Sequence, residues 1–156
     1  GGARPSRIMA TSSVANLLGS VDPSRLGAPS ARNEMRAYGS SKLMNIMLTT
    51  ALQRRWGGDA VTACAVHPGA VATSFGRDSA FIGLLYRTPL KHVGAITPEK
   101  GAAPLIRLAA DLPDAEVAGR YFHRFRADGP ARGAGKDPAA TDALWEASEA
   151  LVRDLL

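Results

Sequence analysis

Hydrophobic and polar positions follow strand-like and helix-like patterns in turn along the chain. The run from Arg7 to Ser12 is short, apolar and ends at a pair of serines, which favours a buried strand. From about Glu34 to Trp56 the apolar positions recur at three- and four-residue steps before two glycines, which predicts a long helix. Ala60 to Val66 is again apolar over strand length and stops at a His-Pro-Gly turn. Strand, helix and strand in this order predict a βαβ unit with two parallel strands.

The rest of the chain adds helices, loops and one more strand, without an internal repeat or a domain boundary. We therefore expect a single domain over residues 1–156. A hydroxyl at the N-cap and a proline at the first position predict that a helix begins at Thr97. The expected elements are a surface loop over 14–33, a partly helical apolar flap over 73–97, a helix from Thr97 to Leu112, an edge strand from Gly119 to Phe125, a loop over 129–138 and a helix from Asp137 to Leu151.

Composition limits the class of protein. Of the 156 residues 46% are hydrophobic and 21% charged, which is enough for a core and excludes a disordered or fibrous chain. The longest apolar stretch, Ala80 to Leu85, is too short to cross a bilayer. The net charge of +5 is spread from Arg4 to Arg153, so we expect a solvated surface and no nucleic-acid partner. The single cysteine, Cys64, lies in an apolar run, which predicts a packed thiol and a reducing compartment, the cytoplasm.

Tyr38 and Lys42 stand four residues apart on the expected long helix, so they share one face. A phenol can pass a proton at neutral pH only if a nearby cation favours its phenolate, and Lys42 is placed to do this. The alternative is an ordinary amphipathic pair, with the phenol half buried and the amine in water. Ser13 follows the first strand, and the segment 67–73 follows the second. Because both strand ends should meet at one sheet edge, the pattern predicts a single crevice.

Three ordered motifs carry a resemblance to a known family. They are the run Arg7 to Ser13, the helix with Tyr38-x-x-x-Lys42 followed by Leu43-x-Asn45, and the turn His67-Pro68-Gly69-x-Val71-x-Thr73. Together they resemble the carboxyl-terminal half of a short-chain dehydrogenase/reductase of the retinol-dehydrogenase-like branch. The resemblance implies an α/β fold with a partial Rossmann-like parallel sheet of about three strands and flanking helices, without the amino-terminal nucleotide-binding half.

The resemblance also implies an activity and its residues. Tyr38 would exchange a proton with the oxygen of an apolar alcohol, aldehyde or ketone, and Ser13, or less favourably Ser12, would hydrogen-bond that oxygen. The apolar residues between Phe75 and Tyr86 would cover the substrate. The nicotinamide end of NAD or NADP would contact Lys42, Pro68, Gly69, Val71 and Thr73.

Several family features are absent from the 156 residues. There is no Thr-Gly-x-x-x-Gly-x-Gly turn, and the Gly-x-Gly at Gly133 to Gly135 follows no expected strand. The 156 residues therefore contain no recognisable binding site for the adenosine half of the cofactor, and NAD is not distinguished from NADP. Since the chain opens on Gly1 rather than Met, we expect it to be part of a longer protein. By itself it should be inactive, marginally stable and prone to form homo-oligomers through an unpaired first strand.

Other interpretations remain open. Ser13 and His67 could form a hydrolase pair with Asp78, although no Gly-x-Ser-x-Gly elbow surrounds the serine and the histidine is explained as part of a turn. His92 and His123 have no neighbours at ligand spacing, so no metal site is expected. A second class of function is a non-enzymatic remnant that keeps the fold and acts only as a packing or binding module.

Overall fold

A computed structural model of the chain describes residues 6–26, 33–58, 61–71 and 96–153. It contains a three-stranded sheet in the order β1-β2-β3, in which both pairs of neighbours are parallel. The strands are β1 (Ser6–Thr11), β2 (Val61–His67) and β3 (Tyr121–His123), and the helices are α1 (Glu34–Trp56), α2 (Pro98–Ala110), α3 (Asp114–Val117) and α4 (Pro138–Arg153). The expected α/β fold with a Rossmann-like three-stranded parallel sheet is confirmed.

Helix α1 connects β1 and β2, so the predicted βαβ unit is present. The register sets Ser6 opposite Val61 and Thr11 opposite Val66. β2 continues the ladder to β3 from Ala65 to His67. Because the strands are parallel, the residues that follow β1, β2 and β3 all leave the sheet at its carboxyl edge.

Helix α1 has the predicted bounds because its ends are well marked in the sequence. The Asn33 side chain accepts a hydrogen bond from the Arg36 amide at 3.2 Å, and the helix ends at Gly57. One side of the helix packs against α4, and another side packs against the sheet. The buried contacts are Leu43 and Met47 with Leu144 of α4, and Ile46 with Ala65 of β2 and Tyr121 of β3.

The opposite face of the sheet is covered by α2 and α3. Cys64, Val66 and Phe122 from the strands pack there with Leu108 of α2 and Val117 of α3. Cys64 is fully buried, and burial raises the pKa of its thiol to about 11. The expected packed thiol is therefore confirmed.

A polar link also ties β1 to this layer. The Arg7 guanidinium forms an ion pair with Asp114 of α3 and donates a hydrogen bond to the carbonyl oxygen of Leu108. Hydrogen bonding to Arg7 holds the pKa of the Asp114 carboxyl below its usual value.

Some expected elements differ from those observed. The loop expected over 14–33 contains two 3-10 turns, Val14–Leu18 and Pro23–Arg25, because Ser13 and Asp22 cap them. The expected strand over 119–125 is shorter, since the positive φ of Arg124 ends the extended run. Most of the expected flap lies outside the described residues. None of the helices in the described ranges is long and apolar enough to span a membrane.

Candidate active site

Tyr38 and Lys42 lie together on α1, one turn apart. The Lys42 Nζ atom is 5.4 Å from the centre of the Tyr38 ring, and both side chains are half-buried. The spacing of four residues therefore brings the phenol and the ammonium to one place, as the sequence predicted. A cation at this distance from an aromatic ring is attracted to its face.

The carboxyl end of β1 is bound directly to α1. The carbonyl oxygen of Thr11 accepts hydrogen bonds from Lys42 Nζ at 3.2 Å and from Asn45 Nδ2 at 2.9 Å. In return, the buried Ser12 hydroxyl donates to the carbonyl oxygen of Lys42 at 2.7 Å. These three bonds hold the end of the strand against the face of α1 that carries Lys42.

Asn45 was given no role from the sequence alone. The signal that could have found it is its place in the motif, three residues after Lys42 on the same helix face. Its amide stabilises the same carbonyl as the ammonium, so it helps to orient the strand end and does not compete for the phenol.

Ser13 begins the 3-10 turn that follows β1. Its Oγ accepts a hydrogen bond from the Ala15 amide at 3.2 Å, so the serine caps this turn. Because the oxygen is engaged as an acceptor, the hydroxyl proton is the group left to donate to a ligand. Ser12 is only 2% exposed and its proton is already donated to Lys42, which makes Ser13 the better candidate of the two.

Two glycines allow the Ser13 turn to lie directly on the first part of α1. A Cβ atom on Gly39 would stand 2.5 Å from the Ala15 carbonyl oxygen, and one on Gly19 would stand 2.5 Å from the Gly39 carbonyl oxygen. Real Cβ atoms do not make contacts this short, so neither position has room for a side chain. The turn that begins at Ser13 therefore lies against Gly39, the residue after Tyr38.

The segment after β2 leaves the sheet at the same edge. Gly69 has a φ of 109°, and a Cβ there would lie 2.9 Å from Ile96 Cδ1. Val71 forms a parallel bridge with Ile96, and its side chain rests on Gly101 of α2. Pro68, Gly69 and Val71 therefore follow β2 as predicted, while Thr73 lies outside the described residues.

His67 ends β2 and packs edge-to-face on His123 of β3, with ring centres 5.0 Å apart. Burial, followed by the charges of His123 and Arg124, lowers the pKa of His67 to about 4. Such an imidazole is neutral at neutral pH and a weak general base. Among the described residues no hydrogen bond joins Ser13 to His67, whose ring packs on His123 instead, so the geometry gives no support to a Ser13–His67 hydrolase pair. Asp78 lies outside the described residues.

Within the described ranges, no group of three or more His, Cys, Asp or Glu side chains is placed to hold a metal ion. The turn Gly133–Gly135 follows a loop, and a Cβ on Gly135 would approach Ile46 and Leu43 of α1 at 3.3 Å. Gly135 therefore allows close packing against α1, whereas a Cβ on Gly133 would meet nothing within 4 Å.

Fold and site together define a Rossmann-like α/β protein whose serine-tipped strand lies against a Tyr-x-x-x-Lys helix. Retinol dehydrogenase 13 of Homo sapiens is 34% identical over 153 residues, covering 95% of this chain and 46% of that protein. Retinol dehydrogenase 14 of Mus musculus is 37% identical over 152 residues, covering 95% of this chain and 45% of that protein. The chain belongs to the short-chain dehydrogenase/reductase family, and it spans about half the length of the curated relatives it matches.

A solved structure has a similar fold. The crystal structure of an uncharacterized protein from Mycobacterium Paratuberculosis superposes with a TM-score of 0.65 at 28% identity, covering 94% of this chain and 50% of that one. A search against models of protein families finds no match.

Proposed function

We propose that the protein is an oxidoreductase that interconverts an apolar alcohol and its aldehyde or ketone with a nicotinamide cofactor, and that Tyr38 is the proton donor and acceptor. The observation that carries the proposal is the Lys42 ammonium 5.4 Å from the Tyr38 ring, bound to the end of the strand that leads into Ser13. The family of the chain supports the general class of oxidoreductase.

Each side chain has a separate task in this proposal. The Ser13 hydroxyl, whose oxygen already accepts the Ala15 amide, donates its proton in a hydrogen bond to the substrate oxygen and orients it. Tyr38 transfers its proton to that oxygen in carbonyl reduction and takes it back in alcohol oxidation. Lys42 stabilises the phenolate that remains. The nicotinamide cofactor supplies or accepts the hydride when bound.

The residues after β2 fit the nicotinamide end of NAD or NADP. Gly69 has no side chain, and its φ of 109° is one that other residues rarely adopt, so the backbone at this turn can come close to a planar ring. We assign the contacts with this end of the cofactor to Lys42, Pro68, Gly69, Val71 and Thr73. The 156 residues contain no glycine-rich turn for the adenosine half, so we propose that the chain is the carboxyl-terminal catalytic half of the fold and is inactive by itself.

The turn after Ser13 supports an apolar substrate. Val14 and Leu17 are 39% and 42% exposed. Residues three apart lie on the same side of a 3-10 turn, so the two side chains form one small apolar surface beside the serine. Such a surface favours a hydrocarbon substrate over a sugar or an acid. The relatives named for retinol are consistent with this class.

The remaining parts of the proposal concern location and partners. The buried, unpaired Cys64 supports a reducing compartment, for which we propose the cytoplasm. We propose small-molecule substrates, no nucleic-acid partner and association with further copies of the chain.

A second candidate is a catalytically inactive remnant that acts as a binding module. It is favoured by the cap that Ser13 supplies to its turn, because this structural task alone would explain the serine. The two candidates differ in whether the protein turns over any substrate.

The experiment compares the whole protein that the gene encodes with the 156-residue chain alone. Both are given apolar aldehydes and ketones, including retinal, with NADH or NADPH, and oxidation of the cofactor is followed. We expect turnover by the whole gene product and none by the 156-residue chain. Absence of turnover by the whole gene product with every substrate would support the binding module. We also expect the 156-residue chain not to bind the cofactor tightly, and micromolar binding in a fluorescence titration would contradict this expectation.

A further inference from the structure

A fully buried amide side chain lies beneath the turn that carries Ser13. Asn16 is 0% exposed, and its Nδ2 donates to the carbonyl oxygens of Ser13 at 2.9 Å and Pro130 at 3.2 Å. Its Oδ1 accepts a hydrogen bond from the Arg132 amide at 3.0 Å. Both donor hydrogens and the acceptor oxygen of the amide group are therefore used.

Asn16 binds the backbone of Ser13 twice. Its own amide also donates to the Ser13 carbonyl oxygen at 3.0 Å, within the 3-10 turn. The peptide that carries the candidate serine is thus held by one residue from two directions. The Ser13 Oγ atom moves only by rotation about the Cα–Cβ bond. The orientation of the backbone therefore limits where the hydroxyl proton can point.

The same side chain connects the turn to a distant part of the chain. Pro130 and Arg132 belong to the segment that follows β3, and the Arg132 guanidinium also donates to the Leu17 carbonyl oxygen at 3.1 Å. The Ser13 turn is therefore anchored on one side to α1, through Ser12, and on the other side to residues 130–132 through Asn16.

The Tyr121 hydroxyl lies in the same buried layer. Burial raises the pKa of Tyr121 to about 12, and the nearby side chains of Ser12 and Asn16 oppose this shift without making hydrogen bonds of ordinary geometry. The ring of Tyr121 packs on Ile46 of α1. Tyr121 is therefore neutral at physiological pH, and its ring adds apolar packing beside Asn16.

We propose that Asn16 is a positioning residue, which sets the place of Ser13 relative to Tyr38 and Lys42 by binding the Ser13 carbonyl oxygen and residues 130–132 at once. The inference rests on the proposed function, because Ser13 must hydrogen-bond the substrate oxygen for its placement to matter. An error of about 1 Å in the placement of such a group can lower a rate by roughly 100-fold.

The test uses Asn16→Ala, with Thr141→Val as the matched control. Thr141 is also fully buried, and its hydroxyl donates to the Pro138 carbonyl oxygen at 2.8 Å, within α4. Both variants lose a buried hydrogen-bonding side chain, but only the first loses contact with Ser13. Asn16→Ser, whose short side chain cannot span from Ser13 to Arg132, is the second variant if the alanine protein does not fold.

The first measurement is amide hydrogen exchange on the whole gene product. The Ala15 amide reports on Ser13 Oγ, and the Arg132 amide reports on Asn16 Oδ1. We expect the Asn16 variant to lose protection at these two amides while the amides of β2 keep theirs, and the control to keep protection at both. Unchanged protection, or an equal loss throughout the chain, would overturn the proposal.

The second measurement is the kinetics of the whole gene product. We expect Asn16→Ala to lower kcat by roughly 10- to 100-fold with an unchanged KM for the cofactor, and Thr141→Val to leave kcat unchanged. An unchanged kcat in the Asn16 variant would overturn its positioning role. If the wild-type protein turns over no substrate, the proposed function fails, and the exchange measurement alone decides whether Asn16 places Ser13.

Discussion

The Lys42 ammonium lies 5.4 Å from the centre of the Tyr38 ring, one helical turn along α1. The same ammonium donates to the Thr11 carbonyl oxygen at the end of β1. A charge that is bound to the sheet in this way stays beside the phenol without needing a bound ligand to hold it. In the proposed function, this contact would keep the Lys42 ammonium beside Tyr38 during proton transfer.

Removal of the ammonium should affect both the chemistry and the strand end. We expect Lys42→Met to lower kcat of the whole gene product by about 100- to 10,000-fold, since the phenolate loses its cation. Lys42→Arg keeps the charge but not the compact geometry of the ammonium, so it should recover only part of the rate. Steady-state kinetics with a saturating cofactor tests this. A Lys42→Met protein with half or more of the wild-type rate would refute the role of Lys42.

The contact between α1 and the Ser13 turn should not tolerate a side chain at Gly39. Alanine normally favours a helix over glycine by about 1 kcal/mol, but a Cβ here would lie 2.5 Å from the Ala15 carbonyl oxygen. We therefore expect Gly39→Ala to lower the free energy of unfolding by about 1–3 kcal/mol in urea titrations. Gly133→Ala, where a Cβ meets nothing within 4 Å, is the control and should change it little. A Gly39→Ala protein that is more stable than the wild type would show that α1 and the Ser13 turn do not approach each other so closely.

The stability of the protein should fall in mild acid because of His67. Its pKa is lowered from 6.5 to about 4 in the folded state, mainly by burial, so the unfolded chain binds more protons between these values. The contribution of neutral His67 to the free energy of unfolding is fully present above pH 6.5 and is lost as the pH falls towards 4. The loss is at most about 3 kcal/mol.

Unfolding free energies of wild-type protein and His67→Gln, measured across this pH range, test the expectation. The variant should show a smaller dependence on pH between 6.5 and 4. The carboxyls of Asp114 and Asp128 affect the free energy of unfolding only at lower pH. Hydrogen bonds from Arg7 and Arg120 hold their pKa values below the usual value. Equal pH dependence in both proteins would mean that His67 is accessible to protons in the folded state.

The free edge of β1 should make the 156-residue chain associate with itself. Among the described residues β1 pairs only with β2, and Ile8 on this strand is 43% exposed. We expect sedimentation velocity to show oligomers whose share rises with concentration, and Ile8→Lys to reduce it. Ile106→Lys, at a 61% exposed position on α2, is the control and should leave association unchanged. A wild-type chain that remains monomeric at high concentration would contradict this prediction.

The sequence was sufficient for elements with local signals. The bounds of α1 follow from its cap residue, its apolar period and the terminal glycines, and the N-cap at Thr97 marks the start of α2. The Tyr38–Lys42 pair was found because a helix makes residues four apart neighbours. These features depend on contacts within one or two turns of the chain.

The parts that were missed depend on contacts between distant residues. Asn16 meets Pro130 and Arg132 more than a hundred positions later, and Arg7 meets Asp114 in the same way. No periodicity in the sequence indicates such pairs. The 3-10 turns were missed for a different reason, since they are too short to show a repeat and are stabilised by single capping side chains.

The central claim is that the Tyr38 hydroxyl transfers the proton. It is tested most directly by Tyr38→Phe in the whole gene product, with turnover and cofactor binding measured on the same preparation. We expect kcat to fall by about 100- to 10,000-fold while the Kd for the cofactor is retained, because only the hydroxyl is lost. Turnover at the wild-type rate in this variant would contradict it.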